Sequence, residues 1–223
     1  MPDSLLIVED DLPLRETLLR NLRAAGFTVT AVASGRELLD RAAENTPSAL
    51  VIDIGLPDAD GRDVCQALRA QGVRSPVLFL SARDALTDRL SGFGAGGDDY
   101  VTKPFDVDEV VARLHALIKR ANEQPAEAVV DGLSLDPSQH SVSVGERSET
   151  LTPTEFRVLA ALAARPGRTV NRRQLIEAAW PHGAIVHDNT LDVYIARLRR
   201  KLANLGAQPE ITTQHGVGYR LSG

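Results

Sequence analysis

Charged and hydroxyl side chains follow four of the apolar runs in the first half of the sequence. In chain order they are Glu9 and Asp10, then Asp53, then Ser81, and finally Lys103. A short apolar run bounded by turn residues is typical of a buried parallel strand. Ligands of open α/β sheets bind at the carboxyl ends of the strands, so we expect these side chains to converge on one edge of a sheet.

The central group is Asp53, which ends the apolar run of residues 49–52. Gly55, Pro57 and Gly61 separate it from the next amphipathic stretch, and this spacing argues against a role as the cap of the following helix. An aspartate at such a strand end is a metal ligand, a nucleophile or a loop residue. The residue alone leaves these three interpretations open.

Three carboxylates, those of Glu9, Asp10 and Asp53, converge if the strand order is 2-1-3-4-5. Like charges packed together are costly unless a cation neutralises them. The ligands are hard oxygens and too few to enclose calcium, which favours Mg²⁺. A carboxylate there can attack a phosphoryl group and form an acyl phosphate. Lys103 would then supply a second cation, and Ser81 a hydroxyl donor.

Strands alternate with amphipathic helices over the first 120 residues. This pattern predicts a flavodoxin-like, doubly wound α/β domain with a five-stranded parallel sheet and helices on both faces. Residues 121–128 are polar, contain Pro125 and lack periodicity, and we interpret them as a linker. We therefore expect one domain over residues 1–120 and another over residues 129–223.

The second half follows a different pattern. Short alternating segments predict a small antiparallel sheet, and three helices follow it. Thr152, Pro153 and Glu155 open the first of these helices with the composition of a capping box. Residues 211–221 predict a closing hairpin. Together these elements indicate an α+β domain.

The last helix carries a polar stripe beside its apolar one. Thr190, Tyr194, Arg197 and Lys201 lie at helical spacing, and neighbouring arginines add charge. Basic residues on a helix that follows another across a turn are typical of helix-turn-helix DNA binding. Taken alone, the stripe is equally compatible with a solvated amphipathic helix.

Composition and charge restrict the class of protein and its location. The 223 residues carry a net charge of −5, which is concentrated in the first half, whereas the second half is slightly basic. The single cysteine, Cys65, excludes an internal disulfide framework and is expected to be a packed side chain. The sequence contains no apolar run long enough to span a bilayer and no cleavable leader, so we expect a cytoplasmic protein with no membrane partner.

Residues 4–120 resemble a two-component receiver domain on the motifs VEDD, VIDIGLPDADG, SA after the fourth strand, and DDYVTKPF. The resemblance implies that a sensor histidine kinase phosphorylates Asp53. It also implies Mg²⁺ ligands at Glu9, Asp10, Asp53 and the Gly55 carbonyl, phosphoryl contacts from Ser81 and Lys103, and a switch formed by Ser81 and Tyr100. Gly55 stands where the family often has Met, and Ser81 replaces the commoner Thr.

Residues 129–221 resemble the winged-helix effector domain of the OmpR/PhoB type on LTPTEFRVL, TLDVYIARLRRKL and ITTQHGVGYRL. By this resemblance Arg197 and Lys201 face the major groove of double-stranded promoter DNA. Tyr194 and Arg199 contact the DNA backbone, and the closing hairpin is a wing whose tip enters the minor groove. The DNA-binding residues expected on this basis are Asn189, Thr190, Tyr194, Arg197, Arg199, Arg200, Lys201, His215 and Tyr219.

The resemblance further implies a symmetric dimer on phosphorylation and contact with RNA polymerase. The expected dimer face combines mixed charges with a small apolar patch, a composition that favours an interface. Its residues are Arg89, Phe93, Asp98, Asp99, Glu109, Val111, Arg113 and Arg120.

Two rival interpretations remain beside a phosphorylation-dependent transcription regulator. A phosphatase or phosphotransferase with an aspartate nucleophile would normally need a second acid two residues on, and that position is Gly55. A constitutive DNA-binding regulator would not need the phosphorylation site, but Asp53, Ser81 and Lys103 are all present. We therefore expect a regulator and not an enzyme.

Overall fold

The computed structural model describes residues 2–82, 95–122, 128–130, 132–180 and 189–223. The chain divides into two compact units, residues 1–122 and 123–223. The helix expected between the fourth and fifth strands, around Leu86 and Leu90, lies outside the described residues. So do most of the predicted linker and the predicted dimer residues Arg89 and Phe93. No helix among those described is long and apolar enough to cross a membrane.

The first unit is built on a parallel sheet with strand order β2-β1-β3-β4-β5, which confirms the predicted α/β fold. Its strands are β1 (Ser4–Val8), β2 (Thr28–Val32), β3 (Ala49–Asp53), β4 (Val77–Ala82) and β5 (Asp99–Lys103). The described helices are α1 (Leu12–Ala24), α2 (Gly35–Glu44), α3 (Gly61–Ala70) and α4 (Val107–Asn122).

Short polar side chains fix where the helices of this unit begin. Asp11, Ser34 and Asp60 each accept a hydrogen bond from a backbone amide in the first turn of α1, α2 and α3, respectively. All five residues of β3 are buried. One core packs α1 and α4 against the sheet, and buried Cys65 lies on α3. The strand β3 is therefore covered on both faces, and Asp53 lies at its carboxyl end.

The second unit is α+β and winged, as predicted. A four-stranded antiparallel sheet comprises β6 (Ala128–Val130), β7 (Leu133–Asp136), β8 (Ser141–Val144) and β9 (Arg147–Thr150). The described helices are α5 (Pro153–Ala163), α6 (Arg172–Ala179) and α7 (Thr190–Leu205). A second sheet has the order β10-β12-β11, with β10 (Val170–Asn171), β11 (Glu210–Gln214) and β12 (Gly218–Ser222). The β11–β12 hairpin is the wing.

A buried carboxylate joins α5 to α7. Glu155 is 0% exposed and completes a capping box with Thr152. Its two oxygens form ion pairs of 2.8 Å, one with Arg197 Nη2 and one with Lys201 Nζ. Burial disfavours the charged carboxylate, but the two cations outweigh this effect and lower the pKa of Glu155.

Gly61, the first residue of α3, lies directly against the backbone of Asp53. A Cβ atom at Gly61 would lie 2.1 Å from the Asp53 carbonyl oxygen and 2.9 Å from Ile54 Cα. The Gly61 amide instead donates to the Ile54 carbonyl at 2.9 Å. Glycine is therefore required for α3 to approach the end of β3.

Replacing Gly61 with alanine should destabilise the first unit by about 1–3 kcal/mol, because the added methyl group overlaps backbone that cannot yield easily. Gly55→Ala is the matched control, since a Cβ there meets nothing within 4 Å. Hydrogen exchange followed by mass spectrometry measures the stability of peptides from this unit separately. Equal protection in both variants would contradict the proposed close approach.

The stability of the second unit should fall as acid protonates Glu155. The pKa of Glu155 is lower in the folded state than its ordinary value of 4.5 in the unfolded chain. Its ion pairs therefore stabilise the fold fully above pH 4.5, and this stabilisation is lost as the pH falls through the pKa of the folded state. Glu155→Gln should cost about 3 kcal/mol at pH 7 and flatten this pH dependence. Fluorescence of buried Trp180, the only tryptophan of the chain, reports unfolding of this unit. The control is Glu146→Gln, which removes an exposed carboxylate. If the stability of the wild type depends on pH as little as that of Glu155→Gln, Glu155 is not the source of the acid sensitivity.

Candidate functional site

The carboxyl ends of the central strands meet at one edge of the first sheet. Asp53 pairs in register with Leu80 on β4. On the next pair of strands, Ser81 pairs with Thr102 and Ala82 with Lys103. Glu9 follows β1, the neighbour of β3. The predicted convergence of charged and hydroxyl groups therefore exists at this edge.

Lys103 connects two of the carboxylates directly. Its Nζ lies 2.8 Å from Glu9 Oε2 and 2.8 Å from Asp53 Oδ2. Burial opposes the charged ammonium, but the bonds to Asp53 and Glu9 outweigh it and raise the pKa of Lys103. Burial raises the pKa of Glu9, and the charge of Asp53 adds to this, against the opposing effect of Lys103. The lysine thus holds the two acidic side chains together.

The donor set of this edge suits a hard divalent cation. One carboxylate oxygen from each of Glu9, Asp10 and Asp53 can be chosen so that all three lie within 4.8 Å of one another. Glu9 and Asp53 are buried, whereas Asp10 is exposed. Carboxylate oxygens in this number, open to water on one side, match Mg²⁺ with retained water ligands better than an all-protein calcium cage.

Side chains that the sequence analysis did not identify hold the loops around this edge. Arg15 Nη1 donates to the carbonyls of Glu9 at 2.7 Å and Asp10 at 3.0 Å. Asp58 accepts from the backbone amides of Gly35 at 3.0 Å and Arg36 at 3.1 Å. These two bonds lower the pKa of Asp58. Arg15 lies one turn into the helix after the acidic pair, but the Asp58 partners lie 23 and 22 residues away and have no local sequence pattern.

The two predicted switch residues are both buried. Ser81 is 2% exposed, and its hydroxyl has no hydrogen-bond partner among the residues that the structure describes. Tyr100 is 5% exposed, and its ring lies 5.1 Å from that of Phe79. The ring of Tyr100 therefore lies inside the protein, and its role in a switch with Ser81 stays a prediction. Burying a hydroxyl group without a hydrogen-bond partner costs free energy. The Ser81 hydroxyl would therefore gain free energy by donating a hydrogen bond to a ligand at this edge.

Three of the predicted dimer residues, Asp98, Asp99 and Arg113, form contacts inside the unit, and their place in a dimer stays a prediction. Asp98 is 1% exposed and accepts from Arg69 Nη2 at 3.1 Å and from the Val77 amide at 3.0 Å. Asp99 is equally buried and forms a 2.8 Å ion pair with Arg113. Burial raises the pKa of Asp99 despite this partner.

The remaining dimer residues in the described range are more accessible. Glu109, Val111 and Arg120 lie on α4 and are half-buried. Glu109 accepts from Arg113 at 2.7 Å, so this helix is tied to Asp99 through one arginine. Their place in a dimer stays a prediction.

Four of the predicted DNA-contacting residues of α7 have partners or burial inside the unit, and their contact with DNA stays a prediction. Thr190 and Tyr194 are 0% exposed, and Tyr194 packs edge-on against Trp180. Arg197 and Lys201 each form an ion pair with Glu155. The sequence spacing placed these four residues on one stripe correctly, but the stripe faces α5 and the core.

Two further predicted contacts connect α7 to the wing. Arg199 donates to the Ile211 carbonyl at 2.7 Å and to Thr213 Oγ1 at 2.8 Å. Tyr219 is 4% exposed, and its hydroxyl donates to Asp192. These contacts position the wing against the helix, and a direct contact of Tyr219 with DNA stays a prediction.

Arg172 completes the connection at the start of α7. Its Nη1 donates to Asp192 Oδ1 at 2.7 Å and to the Tyr219 hydroxyl at 2.9 Å. The predicted DNA contacts that remain on the exposed surface, besides Arg199, are Asn189, Arg200 and His215.

Comparisons with known proteins agree with both units. The family model "Response regulator receiver domain" matches residues 5–115, and "Transcriptional regulatory protein, C terminal" matches residues 146–221. Response regulator MprA from Mycobacterium sp. (strain KMS) is 41% identical over 226 residues, which cover 99% of this chain and 98% of that protein.

Solved structures give the same result. A mutant of RitR has a TM-score of 0.81 at 26% identity and covers 98% of each chain. DrrB of Thermotoga maritima, an OmpR/PhoB homologue, has a TM-score of 0.53 at 28% identity over 100% of both chains. The receiver edge, the winged second unit and these relatives lead to one conclusion: the chain belongs to the response regulators of the OmpR/PhoB type, with a receiver domain followed by a DNA-binding domain.

Proposed function

We propose that this chain is a transcription regulator whose promoter binding is controlled by phosphorylation of Asp53 by a sensor histidine kinase. The observation that supports this most directly is the pair of 2.8 Å contacts from Lys103 to Asp53 and Glu9. A strand-end carboxylate in contact with a fixed cation, beside two further acids, is suited to accept a phosphoryl group. We place the receiver in residues 1–120, the linker in 121–128, and the DNA-binding domain in 129–223.

In the proposed reaction an oxygen of Asp53 attacks the phosphorus of a phosphohistidine. A P–O bond forms and the P–N bond to the imidazole breaks, which leaves Asp53 as an acyl phosphate. Lys103 compensates charge on the phosphoryl oxygens, and the Ser81 hydroxyl, which has no partner among the described residues, donates to one of them. Both groups lie at the carboxyl ends of their strands, at this edge of the sheet.

The acidic residues have a separate role. Glu9, Asp10, Asp53 and the carbonyl of Gly55 would hold Mg²⁺. When bound, this ion neutralises the charge that accumulates on the transferred phosphoryl group. Arg15 keeps the Glu9–Asp10 backbone in place for that purpose.

A phosphatase is the weaker alternative. Such an enzyme would use a second acid two residues after the nucleophile, and Gly55 presents only open space at that position. The proposed chemistry therefore ends at the acyl phosphate, whose slow hydrolysis resets the regulator.

Phosphorylation would change the surface of the receiver through the buried switch residues. The phosphoryl group adds a charge of about −1.5 to −2 beside Lys103 and Ser81. Movement of Ser81 toward it would alter the packing of Tyr100 on Phe79. A pre-existing equilibrium between two packings is shifted in this way.

The proposed outcome is a homodimer that binds paired half-sites on double-stranded promoter DNA. Glu109, Val111 and Arg120 are the accessible residues of α4 that would contribute to its interface. We further propose a cytoplasmic location and contact of the DNA-bound dimer with RNA polymerase.

Incubation with acetyl phosphate and Mg²⁺ should add one phosphoryl group to the wild-type chain and none to Asp53→Asn, because Asp53 is the proposed nucleophile. Intact-mass spectrometry measures the adduct, and sedimentation of the same sample should reveal the dimer. Asp58→Asn is the control, since its carboxylate binds the start of α2 and not the phosphoryl site.

A folded wild-type chain that gains no adduct would contradict the proposal and favour a constitutive DNA-binding regulator. An adduct that persists in Asp53→Asn would place the acceptor elsewhere.

A further inference from the structure

The exposed face of α7 carries a short stripe that its predicted DNA contacts mostly leave out. Val193, Ala196 and Arg200 occur at positions i, i+3 and i+7, which share one face of a helix. Val193 is half-buried, and Ala196 and Arg200 are exposed. The opposite face, with Leu191, Ile195 and their neighbours, is buried in the core. The stripe is therefore the side of α7 that can approach a ligand.

Arg200 differs from the other three basic residues of this helix. Arg197 and Lys201 form ion pairs with Glu155, and Arg199 donates to the wing strand β11. Arg200 is exposed and forms no hydrogen bond or ion pair with the parts of the chain that the structure describes. Its guanidinium can reach a ligand without breaking a contact.

Recruiting Arg197 or Lys201 instead would weaken a buried pairing. Glu155 is 0% exposed, and removal of a partner leaves its charge less well compensated. The first turn of α7 is also unsuited to binding phosphates, because it carries the carboxylate of Asp192. Arg172, the cation beside it, is already paired with this carboxylate.

The chemistry of the stripe matches base edges in the major groove. A guanidinium donates two parallel hydrogen bonds to O6 and N7 of guanine, and small apolar side chains contact the C5-methyl group of thymine. Seven residues of helix span about 10 Å. That length corresponds to about three steps along one DNA strand.

We propose that Arg200 is the residue of α7 that reads a guanine, and that Val193 and Ala196 contact thymine methyl groups within about three base pairs of it. This inference rests on the proposed DNA binding and names the sequence class of each half-site. It also assigns Arg197 and Lys201 to positioning the helix and not to reading bases.

Selection of randomised DNA duplexes by the full-length, acetyl-phosphate-treated chain tests the inference. The wild type should select half-sites with one strongly preferred guanine near thymine. Arg200→Ala should reduce the preference for that guanine by about tenfold or more and leave the other positions unchanged. Val193→Ala should relax the thymine preference only.

Arg173→Ala is the matched control, because it removes an exposed arginine that is paired with Glu177 on α6. It should leave every base preference unchanged. Fluorescence of Trp180 checks that each variant is folded.

Two results would overturn the inference in distinguishable ways. If Arg200→Ala retains the wild-type preferences, Arg200 does not read the guanine, although the proposed function stands. If the folded wild type selects no sequence at all, the proposed function fails, and the inference fails with it.

Discussion

The contact of the Lys103 ammonium with Asp53 and Glu9 is the interaction on which the receiver depends. Each Nζ–oxygen distance is 2.8 Å, and the lysine comes from the edge strand β5 while the carboxylates come from the two central strands. Carboxylates this close repel one another unless a cation compensates them. The sheet order brings these groups together, and Gly61 lets α3 close over Asp53 without displacing it.

The second unit uses the same physical principle for a different purpose. Glu155 is also a buried carboxylate held by two cations, Arg197 and Lys201. Its side chain is fully buried between α5 and α7, so its effect is to fix α7 against α5. Ion pairs between buried carboxylates and basic side chains thus form a reactive edge in the first unit and a rigid joint in the second. The two differ in location: Glu9 and Asp53 lie at the open carboxyl ends of strands, whereas Glu155 lies on a helix in the core.

The sequence allowed prediction of both folds and of the acidic edge, because apolar runs that end in Asp53 or Lys103 are local patterns. The direction of Arg197 and Lys201 was not predictable in this way. Helical periodicity places them on one stripe, but the carboxylate that orients them lies 46 residues from Lys201 in the sequence, on another helix. The internal roles of Asp98 and Asp99 were missed for the same reason, since Arg69 and Arg113 come from other elements.

Control of the DNA-binding domain by Asp53 can be measured as the affinity of the full chain for a selected duplex with two half-sites. Fluorescence anisotropy would follow binding before and after treatment with acetyl phosphate and Mg²⁺. We expect tighter binding after treatment of the wild type and no change for Asp53→Asn. Equal affinity of the treated and untreated wild type would contradict the claim that the Asp53 edge controls the DNA-binding domain.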